Sequence, residues 1–548
     1  MIRRISLIRN YMVRSLMKSM LPIASYWYET KMARRLSYFT RQQQRLRIRY
    51  GITNATPICD YNSETRKRVQ SFALYGKNVH LVSTSGTTGK PKKIAYTQQR
   101  LRRYKTDARA CAVQCFYRFG VQQPTIFILS SLKLDDSFAS YVLLESKVDY
   151  FTGLIEPARY MRHPMMLDRV QCYGVTAVRF WLLLLSQPGI LYATNPSTVA
   201  MFLTQIYQRW DESTAMIRAF CQQPKLFFDL EQMIRSTGAE GYLQRMQVIA
   251  EAQQPMSIEH CFPGLFAWSS WDGGYVGPYV QQVKKYFPPN KFPHIPMFSM
   301  STEVVQTLTF FDVTGKIHFL PVAQDVFYEF LAENAPEEPE HLITADKLQP
   351  GLVYAMVVSD CYGLIRYHTR DLFECCGLFR GLPDLRFVRR AGLSYSFTGE
   401  KLTGEQIIQT FTKLREQQAC LDDANIQLCC FPSRGTINEL PCYQLVLVLA
   451  PGSGCQHSIL EAEIGLTFER ILSELNQEFS VKRTTGRLGE TQVMVVTYEW
   501  IVARLDSRTR TEQDVLQRTW ESQFKLSAFY TVLWEDILIR NELKTHSF

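Results

Sequence analysis

The chain has 548 residues, of which 46% are hydrophobic and 21% charged. That is too long for one ordinary core and too apolar for a disordered chain, so two or more globular domains are expected. The formal net charge is +11, yet the first fifty residues hold twelve Lys or Arg against one acid, Glu29, and from Gly51 onward fifty basic residues meet fifty acidic ones. The bulk of the chain therefore has no basic footprint, which argues against nucleic acid as a partner.

The basic N-terminal segment, residues 1–50, interleaves apolar residues with Arg at roughly helical spacing. A helix packed on the domain is the simplest expectation; a membrane-surface helix and an Arg-rich transit peptide are the other readings. The best apolar run, Phe180 to Leu185, falls far short of the ~20 residues a spanning helix needs, so no transmembrane segment is expected. Fourteen cysteines are scattered without a CxxC, and nine histidines form neither HxxxH nor HExxH. Reduced thiols in a cytoplasmic protein are expected, and a zinc site is not.

After the short apolar run at His80 comes Thr84-Ser85-Gly86-Thr87-Thr88-Gly89-Lys90-Pro91-Lys92. Glycines let a backbone turn tightly and approach a ligand, hydroxyls and N–H groups suit anionic oxygens, and lysine adds charge. The Walker pattern is absent, because Pro91 follows Gly89-Lys90. Further along, apolar β-type runs near Thr125, Lys316, Gly351 and Tyr443 alternate with helical patterns at Val199 and Leu460, which argues for an α/β protein. From about Arg389 a separate strand–helix–strand cycle is large enough for a smaller domain.

The ordered stretch Thr84 to Lys92 resembles the phosphate loop of the adenylate-forming enzymes, and three further segments resemble that superfamily's motifs in the expected order. At Phe298, FSMSTE resembles its aromatic–small–small–Thr–Glu segment; the resemblance implies nucleotide contacts from Ser301 and Thr302, Thr302 at the α-phosphate, and Mg²⁺ ligation by Glu303. Ser299 stands where an adenine-stacking aromatic is usual. At Arg366, RYHTRDL resembles Tyr-Arg-Thr-Gly-Asp, making Asp371 the ribose clamp, with Arg370 in place of the glycine as in phenylacetate–CoA ligases. At Phe387, FVRRAGLSYSFTGEKLTGEQI occupies the hinge position, where Arg390 (or Arg389) would meet the ribose and Gly392 would ease the pivot. Gln523-Phe524-Lys525 resembles the segment that brings a lysine, here Lys525, to the adenylation step.

Several blocks, among them WSSWDGGYVGPYVQQVKKYFP, LLSQPGILYATNPSTVAMFL and NQEFSVKRTTGRLG, resemble the auxin-responsive acyl acid–amido synthetases, and the resemblance runs from about Tyr50 to Ala528. It implies an α/β fold with a large N-terminal ATP- and acyl-binding domain over residues 1–390 and a smaller, mobile α+β domain over 391–548. It also implies ATP and Mg²⁺ as cofactors, with Thr84, Ser85, Gly86, Thr87, Thr88, Gly89 and Lys92 on the phosphates. A small carboxylic acid would be adenylated and its acyl group passed to an amine, an amino acid above all. The competing readings are an acyl-CoA ligase of the phenylacetate type and a nucleotide-binding homologue without turnover. Trp268, Trp271 and Tyr275 are pointers to an acyl pocket, although each suits an ordinary core equally well.

Overall fold

The computed structural model describes residues 2–497 apart from 77, 84–91, 121–124, 130–160, 162–163, 224–226, 228–241, 274–276, 313, 391–393, 396–401, 422–425, 434–439, 441, 450–460 and 487; side chains of the first helix are described from residue 19. The described chain is a mixed α/β structure of helices and several sheets, clustering into two compact units that divide after Val388.

The first unit opens with α1 (Ile2–Arg49), a single helix of 48 residues. Ser25, Tyr28, Met32, Arg35, Phe39, Gln43 and Leu46 are buried along it. Their three- and four-residue spacing is one helical face, so this half is held by packing rather than by propensity. Polar side chains on that face find partners, although Arg35 Nε is left unbonded. Arg35 pairs with Asp107 at 2.8 Å, and Gln43 bonds the backbone of Val326 and Tyr328 through both ends of its amide, each at 2.9 Å.

Helix α2 (Ser63–Tyr75) starts at an Asn62 cap that accepts from the Thr65 N–H. Strands β1 (Val79–Ser83) and β2 (Lys93–Thr97) pair antiparallel, ending at Ser83 opposite Lys93. The hairpin thus brings the two ends of the hydroxyl–glycine stretch together. Thr97 then caps α3 (Gln98–Arg118).

Next comes a four-stranded parallel sheet of β3 (Ile126–Ile128), β4 (Ile190–Tyr192), β5 (Ala267–Ser270) and β6 (His294–Pro296) in sequential order. Helices α4 (Pro164–Tyr173), α5 (Val175–Ser186), α6 (Pro196–Gln208), α7 (Trp210–Gln222), α8 (Tyr242–Glu251) and α9 (Gly277–Tyr286) lie in its connections. Parallel strands need such crossovers and are buried on both faces by them. In α5 every residue from Ala177 to Ser186 is buried, which is where the FWLLLL run goes. Trp181, against Phe220 and Phe227, is fully buried there.

The hairpin β7 (Leu308–Phe311) and β8 (Ile317–Leu320) leads to a five-stranded sheet ordered β10-β9-β11-β12-β13, formed from β9 (Phe327–Ala332), β10 (Ile343–Thr344), β11 (Val353–Ser359), β12 (Tyr367–Phe379) and β13 (Leu382–Arg390). Between β11 and β12 the register breaks. Ala355 faces Leu372 while Val357 faces His368, so β12 spends Thr369, Arg370 and Asp371 opposite the single residue Met356. This bulge re-aims the side chains of the very segment that resembles the ribose motif.

In the second unit β14 (Ser394–Tyr395) pairs with β15 (Leu402–Thr403), and α10 (Gly404–Gln417) follows. Strand β17 (Cys442–Leu449), buried throughout, lies between antiparallel β16 (Ile426–Ser433) and parallel β18 (Gln492–Thr497). The long helical pattern at Leu460 is two helices, α11 (Glu461–Leu475) and α12 (Gln477–Thr484). Asn476 divides them by accepting from the Phe479 N–H at 2.8 Å. Leu402, Leu445, Phe468 and Phe479 belong to this unit's own core.

Candidate functional site

A tight turn presents the FSMSTE segment. The Ser301 N–H donates to the Val304 carbonyl at 2.9 Å, the Val304 N–H to the Ser301 hydroxyl at 3.3 Å, and Met300 bridges Val305. Thr302 and Glu303 occupy its tip. Two residues flanking the β2–α3 junction hold that tip by its backbone: the Tyr96 hydroxyl donates to the Thr302 carbonyl at 2.9 Å, and Arg100 donates to the Glu303 carbonyl. Arg100 is fixed in turn between the rings of Tyr96 and Tyr362, 4.4 and 4.5 Å from their centres, and 3.5 Å from Asp360.

Glu303 is only 7% exposed. It accepts from the Tyr367 hydroxyl at 3.2 Å and lies 3.6 Å from the Lys92 ammonium, which donates to the same hydroxyl at 2.7 Å. Lysine, phenol and carboxylate so form one cluster, drawn from β2's leading edge, the turn and the first residue of β12. A buried carboxylate with a cation and a donor beside it has hard oxygens suited to a divalent cation.

Asp371 leaves the bulge and accepts from the Gln306 amide at 2.5 Å. Gln306 follows the turn by two residues, so one side chain couples the turn to the bulge. The bulge itself is locked from both sides. The Thr369 hydroxyl donates to the Met356 carbonyl at 2.8 Å, and the Arg370 N–H donates to His368 Nδ1 at 3.0 Å. Burial, helped by the Arg370 charge, pushes the His368 imidazole below its ordinary value. Neutral His368 can therefore keep Nδ1 as an acceptor.

Arg370 adopts φ +65°, the left-handed region. That explains why a glycine is usual at this place in the motif it resembles. Here Asp60 binds its guanidinium at 2.7 and 3.0 Å and Glu337 at 2.5 Å, so two carboxylates hold a strained backbone in position. The hydrogen-bonded Arg370 holds Asp60 below the usual carboxylate range. Beneath the motif, Arg366 makes a buried two-point pair with Glu329 at 2.8 and 2.9 Å and reaches the Thr56 carbonyl.

Of the residues singled out in the sequence, Lys92, Ser301, Thr302, Glu303 and Asp371 lie in this one region of the first unit. Thr84, Ser85, Gly86, Thr87, Thr88, Gly89 and Lys525 lie outside the described residues, and Arg390 is described only as the last residue of β13. At Ser299, where an aromatic is usual, the hydroxyl accepts from the Trp271 indole at 3.3 Å, and that ring packs on Phe387 at 4.9 Å. Trp268, by contrast, is fully buried and stacked on His294 at 4.0 Å, a core residue and not a pocket wall. Tyr275 lies outside the described residues. Sequence reasoning missed Gln306, Asp60 and Glu337, which no motif marks. Tyr367 was visible inside RYHTRDL without an assigned part.

Two family models match the chain: the GH3 family N-terminal domain over residues 74–292 and the GH3 family central domain over residues 319–390, together more than half of its length. Arabidopsis thaliana GH3.9, provisionally named an indole-3-acetic acid-amido synthetase, is 23% identical over 198 residues, 35% of this chain and 33% of its own length. Arabidopsis thaliana GH3.3, an indole-3-acetic acid-amido synthetase, is 29% identical over 85 residues, 15% of this chain and 14% of its own. The chain thus spans about a third or less of the length of these curated relatives. Among solved structures, a GH3.15 acyl acid amido synthetase aligns over 94% of this chain and 96% of its own, with TM-score 0.64 and 16% identity.

Proposed function

The chain belongs to the GH3 family, within the adenylate-forming superfamily, and from that premise we propose that it is an ATP-dependent acid–amino acid ligase. The observation that carries this reading is the cluster of Lys92, Tyr367 and Glu303, because it unites three segments each chosen for nucleotide chemistry.

A carboxylate is a poor electrophile, since oxide is a bad leaving group. Its oxygen would attack the α-phosphorus of ATP, forming a P–O bond as the bond to pyrophosphate breaks. An amine would then attack the acyl carbon, AMP would leave with the electron pair of the C–O bond, and the amine would lose a proton. No enzyme nucleophile enters either step. Burial pushes four thiols, Cys111, Cys221, Cys361 and Cys375, above the usual range, away from the reactive thiolate.

In this reading Lys92 and residues Thr84 to Gly89 meet the phosphates, Ser301 and Thr302 bind near the α-phosphate, and Lys525 supports adenylation. Asp371 grips the ribose hydroxyls, with Gln306 fixing one of its oxygens, and Arg390 serves ribose and hinge. Glu303 fits Mg²⁺, a hard cation that takes one or two protein carboxylates and completes its shell with phosphate oxygens. When bound, the ion would supply charge neutralisation at those phosphates. Trp271, read from the sequence as a pointer to the acyl pocket, bonds Ser299 and in this reading would serve the nucleotide base instead. An amino-acid acceptor is supported by the family; a thiol acceptor, coenzyme A, is the reading that Arg370 alone favours. Acceptor screening decides: amide formed with amino acids and no thioester with CoA is expected, and thioester alone would overturn the amide reading.

A further inference from the structure

We propose that the outward face of α1, from Met20 through Trp27 to Arg34, is a docking surface for an anionic lipid bilayer. The helix carries two apolar faces, and the fold uses only one. The inner stripe from Ser25 to Leu46 is packed, with Ser25 and Gln43 hydrogen-bonded across it. On the opposite side Met20 is 46% exposed, Ile23 60%, Tyr26 72% and Trp27 59%. Met20, Ile23 and Trp27 are spaced three and four apart, one row of a helix.

Charge identifies the occupant. The first 28 residues hold five Lys or Arg and no acid, and the same row carried toward the C-terminus meets the exposed Arg34, Arg41 and Arg45. The first fifty residues account for the whole net charge of the chain. The Lys31 ammonium lies 4.8 Å from the Trp27 ring centre, so a cation also flanks the exposed aromatic. An exposed apolar patch containing Tyr26 and Trp27, continued along the helix by cations, suits the boundary between acyl chains and anionic headgroups. A second copy of the chain would bring like charge to the same face. Among the described residues no helix is long and apolar enough to cross a membrane, so the helix would lie on the surface.

Vesicle flotation of the full chain tests this. Phosphatidylcholine–phosphatidylserine vesicles are expected to capture the wild type, phosphatidylcholine alone to capture far less, and high salt to release it. The double variant Ile23→Glu/Trp27→Glu is expected to lose capture about tenfold or more, with an unchanged unfolding midpoint because both side chains are exposed. ATP–pyrophosphate exchange should also be unchanged in that variant. Equal capture with and without phosphatidylserine, equal capture of variant and wild type, or no capture at all would overturn the proposal. So would a variant that alters only the mass of the particle in sedimentation, since the face would then join two copies.

Discussion

Tyr367 is the smallest part of the site on which the reading depends. It is the only described side chain that touches both Lys92 and Glu303 through one oxygen. Tyr367→Phe keeps the ring and removes that link, so acid-dependent exchange should fall about tenfold or more with little change in folding, whereas Lys92→Ala should cost more. Arg370 permits a sharper comparison. Arg370→Gly removes the clamp to Asp60 and Glu337 but relieves the left-handed backbone; Arg370→Ala removes the clamp and keeps the strain. Both should raise KM for ATP more than they lower kcat, by loosening Asp371, and the alanine variant should be about 1 kcal/mol less stable than the glycine variant in urea titration. Equal KM in all three proteins would separate Arg370 from nucleotide binding. Glu303 and Asp371 were legible because short ordered motifs surround them. Gln306, Asp60 and Glu337 were not, because their contacts cross 65, 310 and 33 residues of chain.

Elements were legible where one periodicity ruled and obscure where two faces competed. The β11 and β17 runs announced buried strands, and both are buried almost throughout. Helix α1 was readable as a helix, but its sequence alone left open which face packs, since both are apolar. The bulge in β12 has no sequence signature apart from Arg370 in a glycine's place. Gly363 is the matching case of backbone necessity: its φ is +112°, and a Cβ there would lie 2.9 Å from the Val69 Cα in α2. Gly363→Ala is therefore expected to destabilise the chain by roughly 2 kcal/mol or more, as strain and collision add. A denaturation midpoint equal to wild type would mean that α2 can shift off the Asp360–Leu364 turn at no cost.

Across the molecule, alternating strands and helices were enough to give the α/β class, and the described chain clusters into two compact units. The parallel sheet carries a whole-fold consequence through His294. Burial beside Trp268 pushes its imidazole down from 6.5 to about 4. Above pH 6.5 the group is neutral folded and unfolded and contributes nothing to the pH dependence. As pH falls from 6.5 toward 4 the unfolded chain takes a proton that the folded chain refuses, so stability drops by up to about 3 kcal/mol. In denaturant titrations His294→Gln should flatten that slope; an unchanged slope would place the acid sensitivity elsewhere.

The reaction assigned to the molecule rests on nucleotide activation by the Lys92–Tyr367–Glu303 cluster and Asp371. ATP–pyrophosphate exchange over a panel of aromatic and aliphatic acids measures that activation without needing the acceptor. Exchange that depends on an acid in the wild type, and collapses in Glu303→Ala and Asp371→Ala while both variants stay folded, is the expected result. Folded wild-type protein that exchanges with no acid, or variants that exchange normally, would contradict it.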